Sequence, residues 1–169
     1  MDIKLKIGGF VMKTLIVYAS KHGCAKKAAE KLSEAFGDGT EVSDIRSNAK
    51  IDIAGFDRII IGGSIHAGRI QKNVKNFIKK NLAQLLEKQI GLYICCMEEG
   101  ERADKEFTSA FPKQLIDYAD AKGFFGGEFN FEKMNFIERF IVKKIAKVTE
   151  SVSNFKEDNI IDFINTMKK

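Results

Sequence analysis

Short runs of aliphatic and β-branched residues recur along the chain, and most of them carry almost no charge. Such runs are typical of strands that are covered on both faces of a sheet. They predict five strands, at Thr14–Tyr18, Thr40–Ile45, Asp57–Gly63, Ile90–Met97 and Gly123–Phe131. The second run is short and polar, so its strand is expected near an edge of the sheet.

Amphipathic stretches alternate with these runs. After Gly23, apolar residues recur at helical spacing as far as Phe36, and lysines and glutamates fill the opposite face. Further helices are predicted at Gln71–Lys80, Leu82–Lys88, Ala103–Ala121, Glu132–Val148 and Asp158–Met167. Pro112 is expected to interrupt or restart the third of these. The alternation of strands and helices favours a parallel sheet joined by right-handed crossovers.

The composition is that of a globular protein. The 169 residues are 44% hydrophobic and 30% charged, which suits one domain with a sizeable core. Cys24, Cys95 and Cys96 have neither metal-ligand spacing nor the even number of a disulfide framework, and we predict no metal site. This cysteine usage indicates a reducing, cytoplasmic compartment. No apolar run approaches the roughly 18–20 residues that span a bilayer.

The first 11 residues precede a second methionine, Met12, which lies directly before the first predicted strand. They lack the apolar region of a signal peptide. Gly8-Gly9 would be encoded by GGN-GGN, which can contain the GGAGG of a bacterial ribosome-binding site. We therefore interpret residues 1–11 as a translated leader, with a genuine N-terminal extension as the alternative. Residues 12–169 are predicted to form a single domain.

Polar loops follow the first, third and fourth strands. Ligands of open parallel sheets bind outside the carboxyl ends of the strands, so we expect these loops to meet at one site. The first loop is the turn Ser20–Ala25, with the sequence SKHGCA. The candidate residues of the other two loops are Ser64, Ile65, His66, Ala67, Gly68, Met97, Glu98, Glu99 and Gly100.

The turn Ser20–Ala25 has the residues of an anion site. Ser20 offers a hydroxyl, Lys21 adds positive charge, and Gly23 lets the backbone approach a ligand closely. Unpaired N–H groups and the dipole at the start of the following helix favour a phosphate. The turn matches neither of the common glycine-rich phosphate motifs, and the alternative is that it only reverses the chain.

Taken together, the three loops resemble those of the flavodoxin superfamily. There, the first loop holds the FMN phosphate with a pattern like T-x-T-G-x-T, and the other two loops flank the flavin ring. The resemblance implies a doubly wound, five-stranded parallel sheet of order 2-1-3-4-5 with helices on both faces. It also implies noncovalent FMN binding by the loop residues named above and by Ser20, Lys21, His22, Gly23, Cys24 and Ala25. His22 and Ala25 stand where the pattern has hydroxyl residues, so backbone amides are expected to supply the cradle.

A closer resemblance is to the menaquinone-dependent protoporphyrinogen dehydrogenases, a branch of that superfamily. It is carried by IVYAS followed by His22 and Gly23, by IIIGGSIHAGRIQKNVKNFIKKN and by FFGGEFNFEKMNFIERFIVKKIAK. The resemblance implies a porphyrinogen as the reduced substrate and a quinone as the electron acceptor. Ala67 stands where a tyrosine is expected near the flavin, and His66 is the candidate to contact the ring instead. No catalytic residue is predicted, because flavin chemistry need not use one.

Positive charge is concentrated in the predicted helix Glu132–Val148, in a chain with 28 Lys and Arg against 23 Asp and Glu. Arg139, Lys143 and Lys147 recur there at every fourth residue beside a broad apolar face. One interpretation is a surface helix packed on the sheet. The other is contact with an anionic hydrophobic substrate or with the inner face of the membrane, where the protein would be peripheral. No nucleic-acid motif accompanies the charge, and no nucleic-acid partner is predicted.

Three functions stay open on these residues. The first is an FMN-dependent oxidoreductase that takes electrons from a reduced small-molecule or protein donor. The second is an electron carrier that binds only protein partners. The third is a binding module of the same fold that has lost FMN, since two loop hydroxyls and the ring-stacking aromatic residue are missing.

Overall fold

A computed structural model describes residues 11–48 and 50–169 of the chain. The predicted leader therefore lies outside the described residues except for Val11, and the start at Met12 stays a prediction. Among the helices of the described residues, none is both long enough and apolar enough to cross a bilayer.

Five parallel strands form the central sheet in the order β2-β1-β3-β4-β5, which confirms the predicted fold class and strand order. The buried runs form these strands because both faces of the sheet are covered, so every residue of β1 and β3 is buried. Polar β2 lies at the edge, as expected. The strands are β1 Thr14–Ala19, β2 Thr40–Asp44, β3 Arg58–Ser64, β4 Gln89–Cys95 and β5 Ala121–Phe124.

Helices cover both faces of this sheet. One face packs against α1 and α6 through residues such as Ala28 and Ile160, and the other packs against α2 and α3 through residues such as Val74 and Phe107. The helices are α1 Cys24–Phe36, α2 Lys72–Leu85, α3 Gly100–Ala110, α4 Lys113–Tyr118, α5 Phe136–Ile145 and α6 Glu157–Met167. The two helices predicted over residues 71–88 are one helix, and the chain restarts as α4 directly after Pro112.

The predicted fifth strand, Gly123–Phe131, is correct only in its first part. After β5, the chain turns at Gly126, whose φ is 72°, and the next strand leaves the central sheet. This strand, β6 Gly126–Phe129, pairs antiparallel with β7 Val152–Phe155, which the sequence pattern did not indicate. The turn needs a glycine, because a Cβ at Gly126 would lie 1.7 Å from the backbone oxygen of Asn154.

Helix α5 lies between β6 and β7. We call the segment 126–155, which leaves the central sheet, the excursion. The helix begins later than predicted, because residues 131–133 form a separate 3-10 turn and Asn135 makes a capping box with Glu138. It ends before Lys147, whose φ of 54° is not helical. All residues of α5, each of them described, are exposed or partly exposed. A helix that lay on the sheet would bury one face, so the interpretation of α5 as a sheet-packed helix is wrong.

Candidate functional site

A cleft of about 590 Å³ opens at the carboxyl ends of β1, β3 and β4. Its size is in the range of sites for small molecules and cofactors. The three predicted loops meet here, because parallel strands end at the same edge of the sheet. The excursion from β6 to α5 closes the other side of the cleft with Gly127–Phe129, Met134 and residues of α5.

Most of the predicted cofactor residues line this cleft. Those that do are Lys21, His22, Cys24, Ser64, Ile65, His66, Ala67, Gly68, Met97 and Glu98. Ser20 and Gly23 belong to the turn before α1 and do not line the cleft. Ala25 faces the core, where its carbonyl accepts a hydrogen bond from the hydroxyl of Tyr93 at 2.9 Å. Glu99 and Gly100 lie beside a smaller pocket, and Glu99 accepts a hydrogen bond from Lys156 Nζ at 2.5 Å.

The turn before α1 has the features of an anion cradle. The buried Ser20 Oγ accepts a hydrogen bond from the Gly23 N–H at 3.0 Å, which leaves its own O–H free to donate. Gly23 has a left-handed φ of 102°, and no side chain of the described residues caps α1 through a hydrogen bond. The N–H groups of the first helical turn therefore remain as donors, and the helix dipole adds to their attraction for an anion.

Two side chains from the excursion reach this turn, and the sequence analysis did not assign either of them to the site. Lys133 Nζ lies 2.9 Å from the position that a Cβ of Gly23 would occupy, so it adds a cation at the cradle. Glu138 is ion-paired with Lys21 and lies 3.9 Å from His22 Nε2, measured from its Oε2. No periodicity or motif could reveal these contacts, because more than 100 residues separate the partners.

The two histidines meet inside the cleft. The rings of His22 and His66 are in an edge-on arrangement with their centroids 5.2 Å apart. Burial, reinforced by the charges of His22 and Lys21, lowers the pKa of His66 to about 4. Burial and the charge of Lys21 also lower the pKa of His22. Both imidazoles are therefore expected to be neutral at pH 7.

Four buried polar atoms at the cleft have no hydrogen-bond partner among the described residues. They are His22 Nδ1, Ser64 Oγ, His66 Nε2 and Glu106 Oε2. An unpaired buried donor or acceptor costs about 1–3 kcal/mol, so proteins seldom leave one without a protein, water or ligand partner. All four belong to residues that line the same cleft, which fits a ligand with a polar edge.

The rest of the cleft wall combines apolar side chains with three charged ones, Arg102, Glu106 and Glu128. All three cysteines are free and buried, and burial raises the pKa of the Cys96 thiol to about 12, so it stays protonated. Phe129 of β6 brings an aromatic ring to the wall, although the loop after β3 carries none. Ile141, Val142 and Ile145 of α5 also line the cleft. A flat, mostly apolar group with a few polar atoms matches this lining.

Fold and cleft together define a doubly wound α/β protein with its ligand site at the carboxyl ends of the strands. A flavodoxin-domain family model matches residues 15–156. The chain therefore belongs to the flavodoxin domain family, and the resemblance inferred from the three loops is confirmed.

Two relatives share the name protoporphyrinogen IX dehydrogenase (quinone). The protein from Leishmania major is 22% identical over 146 residues, which cover 81% of this chain and 63% of that protein. This chain thus spans less than two thirds of the Leishmania protein. The protein from Escherichia coli strain K12 is 21% identical over 155 residues, covering 87% of this chain and 86% of the relative.

Among solved structures, the rubredoxin oxygen:oxidoreductase from the anaerobe Desulfovibrio gigas shares the fold with a TM-score of 0.58. It is 14% identical, and the match covers 92% of this chain but 34% of that one. At this identity the likeness concerns the fold alone.

Proposed function

We propose that the chain binds FMN noncovalently in the cleft and acts as an FMN-dependent oxidoreductase. The observation that carries this proposal is the set of unpartnered buried atoms of His22, Ser64 and His66 beside the anion cradle at Ser20–Ala25. Membership of the flavodoxin domain family supports it. When bound, the flavin supplies the redox chemistry.

Different residues of the chain would bind the phosphate and the ring of FMN. The Ser20 hydroxyl and the N–H groups at the start of α1 would hold the phosphate, with Lys21 and Lys133 supplying positive charge. The polar atoms of His22, Ser64 and His66 would bond the polar edge of the ring. Because both histidines are neutral, each can donate or accept one hydrogen bond there without adding a charge.

For the substrate, we propose a porphyrinogen as electron donor and a quinone as acceptor. The similarity to two relatives of that name supports this finer assignment. A porphyrinogen is a large apolar ring with carboxylate groups. The apolar side chains of α5 at the cleft, Ile141, Val142 and Ile145, suit the ring of such a molecule. The predicted contacts Arg139, Lys143 and Lys147 are not among the residues that line the cleft.

FMN binding is tested by titration of the purified protein with FMN and with riboflavin, which lacks the phosphate. Visible absorbance and flavin fluorescence report the binding. We expect FMN to bind at least tenfold more tightly, and Gly23→Val to remove this preference because its side chain fills the cradle and disfavours the φ of 102°. Gly55→Val is the control, since a Cβ there meets nothing within 4 Å. Equal affinity for both flavins would contradict the assignment of Ser20–Ala25 as the phosphate site.

Turnover of a small-molecule substrate distinguishes the proposed oxidoreductase from an electron carrier. The FMN-loaded protein is mixed anaerobically with protoporphyrinogen and a quinone, and free FMN at the same concentration serves as the control. Oxidation well above that of free FMN supports the oxidoreductase. If the loaded protein shows none but exchanges electrons with a protein partner, the carrier function replaces it.

A second candidate, the binding module without FMN, is favoured by one contact. The Glu138 carboxylate forms an ion pair with Lys21 beside the cradle, so part of the positive charge that would attract a phosphate is compensated within the protein. The same titration decides, because such a module would bind neither FMN nor riboflavin.

A further inference from the structure

The outer side of α5 is the largest concentration of exposed apolar side chains in the part of the chain that the structure describes. Phe136, Ile137 and Phe140 are 85%, 68% and 59% exposed. Ile141 and Ile145 are exposed as well, but they line the cleft. Monomeric proteins seldom leave such residues contiguous unless the surface contacts a partner.

The helix has two functional sides. At about 100° per residue, Glu138, Ile141, Val142 and Ile145 share the side that lines the cleft. Phe136, Phe140 and Lys144 follow one another at every fourth position on the opposite side, with Ile137 and Lys143 flanking them. We call this second group, with Lys147 just beyond the helix, the outer face of α5.

The charge of the outer face is positive and uncompensated. Across residues 11–48 and 50–169, no ion pair involves Lys143, Lys144 or Lys147. Lys144 Nζ lies 5.9 Å from the centre of the Phe140 ring, so cation and apolar ring share one surface. Arg139 differs, because its Nε donates a hydrogen bond to the Met134 carbonyl at 3.0 Å and supports the start of the helix.

The chemistry of this face suits a lipid surface better than a protein. Protein interfaces are enriched in arginine and depleted of lysine, whereas the outer face carries three lysines and no arginine. Lysines beside Phe and Ile are typical of helices that lie in the plane of a membrane. There the rings enter the acyl boundary and the long side chains reach the anionic headgroups.

We propose that the outer face of α5 is a docking surface for an anionic lipid membrane. Docking through this face would place the cleft about one helix diameter, roughly 10 Å, from the bilayer, because the opposite side of the same helix forms a wall of the cleft. A lipophilic electron acceptor dissolved in the membrane would then have only a short path to the cleft. The docking itself does not depend on the proposed FMN chemistry.

Docking is tested by co-sedimentation of the flavin-free and the FMN-treated protein with large unilamellar vesicles. One set contains phosphatidylcholine and phosphatidylglycerol in equal amounts, and the other contains phosphatidylcholine alone. We expect binding to the anionic set that weakens as salt rises from about 0.05 M to about 0.5 M, because counterions screen the lysines. Since the flavin-free protein is included, this result is independent of the fate of the proposed oxidoreductase.

Two variants assign the binding to α5. Lys143→Gln/Lys144→Gln/Lys147→Gln should lower the partition coefficient by roughly a hundredfold at low salt, since each basic residue near an anionic surface contributes about a fivefold gain. Its control, Lys72→Gln/Lys79→Gln/Lys80→Gln, removes three exposed lysines of α2 and should have little effect. Phe136→Ser/Phe140→Ser should also weaken binding, whereas Ile161→Ser, on the exposed side of α6, should not.

Three outcomes would overturn the proposal. One is a wild-type protein that does not sediment with anionic vesicles. Another is binding that both α5 variants retain. The third is self-association in analytical ultracentrifugation that Phe136→Ser/Phe140→Ser abolishes, with no vesicle binding, because the outer face would then contact a second copy of the chain.

Discussion

At the residue scale, the site depends on a few side chains whose properties are set by neighbours far away in sequence. His22 and Lys21 come from the first loop, yet Glu138 of α5 lies close to both. His66 comes from the loop after β3 and owes part of its lowered pKa to His22 and Lys21. The charge and the pKa values of these loop residues therefore depend on contacts that form only when the cleft is assembled.

Glu138 offers a direct test of the charge at the cradle. Glu138→Gln should make FMN bind about two- to fivefold more tightly, because Lys21 loses a competing partner and an exposed ion pair contributes about 0.2–1 kcal/mol. Glutamine can still accept the hydrogen bond from the Asn135 N–H that caps α5. Riboflavin affinity should not change, since it has no phosphate. Both affinities are measured by fluorescence titration.

Glu132→Gln is the control for this variant, as it removes an exposed carboxylate of the same excursion. Weaker FMN binding in Glu138→Gln would contradict the prediction. It would mean that Glu138 orients Lys21 and His22 for the ligand.

At the scale of elements, the excursion forms one side of the cleft and so sets its shape. Gly126 is its first residue, and Lys156 N–H closes it with a hydrogen bond to the Phe125 carbonyl at 2.9 Å. We expect Gly126→Ala to destabilise the protein by about 2–4 kcal/mol, because the added Cβ meets the Asn154 backbone oxygen and the φ of 72° is strained. Urea unfolding measures the loss, and hydrogen exchange at Lys156 detects local opening.

Gly37→Ala separates backbone strain from the clash. Gly37 has a similar φ of 69°, but a Cβ there meets nothing within 4 Å, so only the cost of backbone strain is expected, about 1–3 kcal/mol. Equal losses in the two variants, with unchanged exchange at Lys156, would show that the contact with Asn154 is unimportant.

The elements also show where periodicity is informative. The buried runs and the amphipathic stretches correctly predicted the five strands and their alternation with helices, since burial on a sheet imposes those patterns. The placement of helices on both faces came from the resemblance to the flavodoxin superfamily. The patterns missed β7, whose residues are exposed or only partly buried and so carry no alternation. They extended the fifth strand past Gly126, because residues 126–129 look like a strand and do form one, but in another sheet.

At the scale of the whole molecule, the buried His22 and the half-buried His66 make stability depend on pH. The folded pKa of His66 is about 4, below the ordinary 6.5, so between these values the unfolded chain binds more protons than the folded one. Stability should therefore fall as pH drops from about 6.5 to about 4. After allowance for partial solvent screening, His66 contributes about 1–2 kcal/mol to this loss.

His66→Gln should flatten the pH dependence in that window without removing it, since the pKa of His22 is lowered too. Urea unfolding at several pH values between about 4 and 7 measures the slope. His22→Gln/His66→Gln should flatten it further, because these are the two histidines of the chain. A slope in His66→Gln as steep as that of the wild type would contradict the assignment.

The amino-acid sequence by itself determined the parallel α/β class and the loops that meet at the cleft, while the strand order came from the resemblance to the flavodoxin superfamily. The class and the loops follow from local patterns, because a parallel sheet that is covered on both faces demands uncharged strands and brings their carboxyl ends to one edge. The tertiary structure alone decided that α5 stands away from the sheet, with one side on the cleft and the other exposed. It also placed Lys133 and Glu138 at the anion cradle. Both results depend on the turn at Gly126, where contact with a backbone oxygen 28 residues further along the chain redirects the strand, and no local pattern encodes such a contact.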